Sequence, residues 1–388
     1  MSKPNIRTSK NYMYLVDPKL RAKEIGDALL VIDGYEISGT RFQYLTWRNV
    51  RFKNCDFAGN YDVKLTALEN SSLENCKIVG IHGFGERMRN VRFYRCISGF
   101  NAFWVGGSDC KDVVFEECEH VAENSPDPNH QGRFGTHGDA VFINCKAKSC
   151  EVLGKGQVVM RGCAFEGVSY QPTGDSANVL IEDSKLRGTF DMVPASLQSL
   201  TIRDTQIDLL DLTGASVKGD VVMERVKGGY FRMGVKEGAG NFVLKDSQLY
   251  TGSSKVNETS YAYAGGFKSV LIENTAFTTD LLDKAVIAGG FDPDVKTPQP
   301  ALTKSYVIRK SRFPILDASY LNAGQVVLEG NEIGSLDLSN SRIGQLEVSG
   351  NTISRGVDFS HTQAKQANVQ RLRSDQAKLE GSNMKLPR

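Results

Sequence analysis

The sequence predicts an all-β solenoid, and three observations carry that prediction. An eight-residue pattern recurs as VRFKNCDF (residues 50–57), VRFYRCIS, VVFEECEH, AVFINCKA, VVMRGCAF and VLIEDSKL. The pattern returns every 20 to 22 residues over most of the chain. Its fixed apolar positions are mostly β-branched or aromatic, and no helical stretch of ten residues fits inside one repeat. Repeats of this length bury their apolar face only against their neighbours, which makes a solenoid.

Each repeat can be read in order. Apolar and polar residues alternate through a first strand, and a polar corner follows. A mark comes next: Cys55, Cys76, Cys96, Cys118, Cys145 and Cys163 in the early copies. Ser184, Thr205, Val226, Ser247, Thr275, Ser311, Asn331 and Asn351 fill the same place later, and Tyr35 precedes them. A second strand follows the mark, as in TFDMV, LLDLT, YFRMG, ILDAS, SLDLS and GVDFS. Because Ser, Thr and Asn replace Cys at the mark, the cysteines read as small buried fillers and not as a disulfide framework. Cys110 and Cys150 fall outside the column, no CxxC pair occurs, and no metal site is expected.

A solenoid needs its ends covered. Residues 18–29, PKLRAKEIGDAL, open on Pro and bring Leu20, Ile25 and Leu29 toward one helical face, which suggests an N-terminal cap helix. The expected division is 1–29 for this cap, 30–360 for the solenoid, and 361–388 for a C-terminal cap or irregular last coil.

With 388 residues, 40% apolar and a net charge of +2, the chain can bury a long core and is too balanced to favour nucleic acid. No apolar run reaches a membrane span. The start lacks the basic-then-apolar layout of a secretory signal. The expectation is folding in the cytoplasm, with export or a virion location by a signal-independent route as the way out.

The repeats with their two strands and polar corners resemble the right-handed parallel β-helix superfamily typified by pectate lyases. The stretch LDLSNSRIGQLEVSGNTI also leans toward pentapeptide-repeat spacing. The resemblance covers residues 30–360 and implies a right-handed parallel β-helix of about 15 coils. It also implies an extended polysaccharide as ligand, Ca²⁺ as the cofactor to consider, and a homotrimer as in β-helical spikes. If there is turnover, the resemblance implies a polysaccharide lyase or glycoside hydrolase. The calcium and arginine motifs of pectate lyases have no residue-by-residue match here.

Function is sought where the repeat is special. Three steps are long, from Cys118 to Cys145, Ser247 to Thr275 and Thr275 to Ser311, and loops on one side of a solenoid often build its binding face. The first loop holds His130, His137 and Asp139, with His82 and His120 nearby, and histidine can move protons or bind metal near neutral pH. The DPNH stretch there is similar to the Asp-Pro-His motif of alginate epimerases, but an inserted Asn breaks the match. Solvated loop histidines explain the same residues.

In the second strand the middle residue should point outward. That column reads Glu151, Ser169, Asp191, Asp211, Arg232, Asp317, Asp337 and Asp358, with Trp104 in the equivalent place earlier. Asp191 and Asp211 on neighbouring coils would sit near the spacing of a glycosidase carboxylate pair, with Arg232 beside them. These three are the catalytic candidates. Trp104, Glu151, His130, His137 and Asp139 are the substrate-binding candidates. A solvated acidic stripe explains the same column. Polysaccharide recognition is the first reading, and a non-catalytic structural or interaction solenoid, such as a virion component or a signal-independent secreted protein, is the alternative.

Overall fold

In the computed structural model the strand pairings between turns are parallel throughout the described residues, and turns repeat one plan. The structure describes residues 3–58, 62–98, 103–121, 132–171, 177–192, 196–212, 215–233, 237–238, 240–250, 261–262, 267–278, 286–287, 302–372 and 376–386. The chain divides into two compact units, Met1–Phe190 and Asp191–Arg388. Each is a stretch of parallel β-solenoid, so the expected fold class is the observed one.

One turn of the first unit shows the plan. Strand Arg87–Tyr94 belongs to the first sheet. Arg95 then turns the chain with φ 50°, and Cys96 follows. Strands Ile97–Ser98 and Phe103–Gly106 lie in the second sheet, before Asp109–Glu116 returns to the first. The solenoid has about 12 turns against the 15 or so that the marks suggest. Three of the expected turns carry the long excursions, much of which lies outside the described residues.

The corner explains the mark. Residues just before it adopt the left-handed conformation in turn after turn: Asn54, Asn75, Asn144, Asp183, Asp204, Asp246 and Asn274 all have φ near 50°. Asn and Asp tolerate this region better than other non-glycine residues. The turn pulls the local carbonyls out of the ladder, and the mark side chain bonds to them. Cys96 Sγ reaches Leu73 O at 3.4 Å, and Ser184 Oγ donates to Glu182 O at 2.7 Å. Any small side chain with a donor can do this, which is why Cys, Ser, Thr and Asn interchange. All eight cysteines are buried free thiols, Cys110 and Cys150 included.

The core of the first unit contains a run of aromatic rings. Phe93, Phe115 and Phe142 are successive Cα partners, with ring centroids 4.8 and 5.1 Å apart and nearly parallel planes. Such pairs add about 0.5–1.5 kcal/mol each beyond their buried area. On the outer side of the first sheet, charge alternates from turn to turn. In the second unit Arg203, Glu224, Lys245, Glu273, Arg309 and Glu329 are successive partners. Unlike neighbours across a ladder favour this pairing over a slipped one.

The N-terminal cap is larger than expected and buries a different surface. It comprises α1 (Lys10–Val16) and α2 (Pro18–Glu24). Asp17 caps α2 by accepting the N–H groups of Lys19 and Leu20, with Pro18 in the first turn. The helix ends at Glu24 and buries no residue of its own, so the predicted face of Leu20, Ile25 and Leu29 does not seal the solenoid. That task falls to α1, which buries Tyr14 and Leu15, while Trp47 Nε1 donates to Leu15 O at 3.1 Å. At the other end, strand Gln363–Val369 is followed by Ala377–Lys378, and Asn383 makes a reciprocal pair of bonds to the backbone of Ala364.

Candidate functional site

Glu151 lies in strand Cys150–Leu153, and its Cα partners are Arg133 on one side and Ser169 on the other. It forms an ion pair with Arg133, a residue that no sequence pattern singles out. The Glu151 side chain is only 15% exposed, while that of Arg133 is 44% exposed and covers it from the solvent side.

Trp104 does not share that column. It is partnered with His82 and Phe134, and Phe134 with Val152, whereas Phe103 aligns with Arg133 and through it with Glu151. Trp104 is therefore one residue out of the Glu151 column in Cα register. The Trp104 side chain lies outside the described residues.

The histidines divide between core and surface. His82 is 1% exposed and His120 is fully buried, which removes both from any loop cluster. His82 Nε2 bonds to Val79 O at 2.8 Å, and His120 Nδ1 shares a hydrogen bond with Ser98 Oγ. Burial lowers the basicity of both, that of His120 to a pKa of about 4. His130 lies outside the described residues. His137 is half-buried, and burial followed by the charge of Arg133 lowers its pKa. Asp139 accepts the backbone N–H of Gln157 at 2.9 Å, which ties one turn to the next. The predicted loop group of His130, His137 and Asp139 thus lies partly outside the described residues, and His82 and His120 are core residues.

In the second unit the predicted outward column is continuous in register. Asp211 partners Arg232, Arg232 partners Tyr261, Tyr261 partners Ile287, and Ile287 partners Asp317. Asp317, Asp337, Asp358 and Lys378 then follow one another. The side chains of Asp191, Asp211 and Arg232 lie outside the described residues, and with them the expected carboxylate pair.

Asp317, Asp337 and Asp358 share one role. Each Oδ1 accepts the backbone N–H of the serine two residues on, at 3.0, 2.8 and 2.9 Å. The repeated Asp-x-Ser is thus a turn-closing device. Burial pushes the Asp337 carboxyl up, against the bonds from Ser339, and the charges of Asp317 and Asp358 add to the rise. Asp358 lies below the usual range: burial opposes this but is outweighed by the Ser360 bonds and by Lys378. Among the described residues no group of three or more His, Cys, Asp or Glu is placed to hold a metal ion, and no helix is long and apolar enough to cross a membrane.

A row of amides escaped the sequence reading. Gln325, Gln345 and Gln366 are successive Cα partners, all exposed, and Gln345 Nε2 donates to Gln366 Oε1 at 3.4 Å. The signal was present as the repeated Gly-Gln of AGQVVLEG and IGQLEVSG. No protein-family model matches the chain, and no curated protein matches it either.

Proposed function

We propose that this chain recognises a glycan along the face of its solenoid, by binding and without cleaving the polymer. The observation that carries this reading is the amide row of Gln325, Gln345 and Gln366, which repeats one donor and acceptor set at the strand spacing of about 4.8 Å. A repeating row of this kind suits a ligand that itself repeats hydroxyl groups along its length. Along the row of Asp317, Asp337 and Asp358 each carboxylate commits an oxygen to its own turn, which supports binding over cleavage on that stretch.

The same commitment supports a second reading, a structural or interaction solenoid whose acidic row only closes turns. A panel of immobilised polysaccharides, with and without Ca²⁺ and with chain-length analysis, separates the two. Binding with unchanged chain length is expected. Shortened chains would make the protein an enzyme, and binding to no polymer would leave the structural solenoid.

A further inference from the structure

We propose that the second unit carries a binding trough for a linear polyanionic glycan, clamped by Lys304, Arg342 and Lys365. This rests on the glycan-binding reading above and specifies its site and the charge of its ligand.

The trough is a groove of about 490 Å³ lined by Gly324, Arg342, Gly344 and Lys365 together with the apolar Leu302 and Ile343, and Lys304 stands outside this lining on the turn beyond Gly324. Its floor is set by close backbone approach. A Cβ on Gly324 would lie 2.7 Å from Lys304 O, and one on Gly344 would lie 2.4 Å from Gly324 O. Two neighbouring turns therefore present bare backbone where other turns present side chains. Lysines stand at both ends of this bare stretch. Lys304 falls opposite Gly324, between the partner pairs Thr303–Ala323 and Ser305–Gln325. Lys365 falls opposite Gly344, between Ile343–Ala364 and Gln345–Gln366. Three turn spacings separate the two lysines, about 14 Å.

Several arginines on this sheet are matched by acids on adjacent turns, as Arg309 is by Glu273 at 2.7 Å and Arg203 by Glu224 at 3.2 Å. Lys304, Arg342 and Lys365 are exposed and have no ion-pair partner among the described residues. Glu347, on the far side of the amide row, is the nearby acid, and it accepts from Ser349 Oγ at 3.4 Å. Unmatched cations along a groove attract an anion, and the adjoining amides supply bonds for hydroxyls. A linear glycan with acidic groups along its length meets both demands, since a sugar ring is close in length to one turn of the solenoid.

The test compares the full chain with the triple variant Lys304→Glu, Arg342→Glu and Lys365→Glu, using hyaluronan and dextran sulfate fragments, with unsulfated dextran of matched length as the neutral control. All three positions are exposed, so the melting temperature of the variant should match that of the parent. Binding of an acidic fragment that falls at least tenfold in the variant, weakens with added salt and exceeds that of dextran supports the trough. Glycan binding that survives unchanged in the variant overturns the trough and leaves the broader glycan reading standing. Preference for dextran overturns the polyanion assignment. No binding by the parent chain to any fragment overturns both.

Discussion

Asn351 Oδ1 accepts two hydrogen bonds from Asn331, one from its backbone N–H and one from Nδ2, each at 2.9 Å. The corner mark of one turn thus satisfies the backbone of the mark before it. Ser247 does the same for the N–H of Val226, and Ser311 for that of Thr275, at 3.1 Å each.

Removing this acceptor should therefore cost more than its size suggests. Asn351→Ala leaves the buried N–H of Asn331 without its acceptor, at about 1–3 kcal/mol. Asn351→Ser keeps an oxygen in reach and should cost clearly less. Urea unfolding of the two variants measures the difference. Equal losses would mean that the corner bond carries no stability.

The corner also contains strain that can be relieved. Lys310 takes φ 49° immediately before the mark Ser311, where Asn274 and Gly330 stand on the adjoining turns. A long side chain is disfavoured in that region, whereas Asn tolerates it. Lys310→Asn should stabilise the protein by roughly 0.5–1 kcal/mol. A lowered midpoint in urea would show that the Lys310 stem packs against the corner more than the backbone strain costs.

The corners and the core were legible in the sequence because they are local and repeat. Cys55 to Asn351 align because a small, largely buried residue, polar in all but Val226, follows a left-handed corner in each turn. The register from Asp317 to Asp358 was legible because each Asp stands in the same Asp-x-Ser motif, although the strand Thr352–Asp358 holds one extra residue. The register of Trp104, which aligns with Phe134 and Val152 and not with Glu151, was not legible because the spacing from mark to second strand varies between turns. His82 and His120 were misread because sequence alone does not reveal a core lined with polar partners. The cationic trough was not visible because Lys304, Arg342 and Lys365 come together only when three turns stack.

The alternating charge row predicts a salt-dependent loss. Glu273 sits between Lys245 at 3.5 Å and Arg309 at 2.7 Å. Glu273→Lys sets three cations side by side on a partly exposed face. The loss should be about 1 kcal/mol at low ionic strength and smaller at 1 M salt, where charges are screened within about 3 Å. Glu273→Gln should lose less and vary less with salt. A loss in Glu273→Lys that does not change with salt would point to packing and not to charge.

The buried His120 predicts how stability depends on pH. Its imidazole is held neutral in the core, with a pKa of about 4 against 6.5 for an exposed histidine. Between these values the unfolded chain binds a proton that the folded chain refuses. Stability contributed by the neutral ring is thus complete above pH 6.5 and falls progressively as pH drops toward 4, by up to about 3 kcal/mol. His82 is shifted in the same direction by burial and adds to the loss. Carboxylates act in the same range, so the His120 share must be isolated by substitution. His120→Gln cannot take up the proton, and its unfolding free energy should fall less than that of the parent between pH 7 and 4.5. If the two curves run parallel, His120 either stays neutral in both states or finds a place for its charge in the folded core.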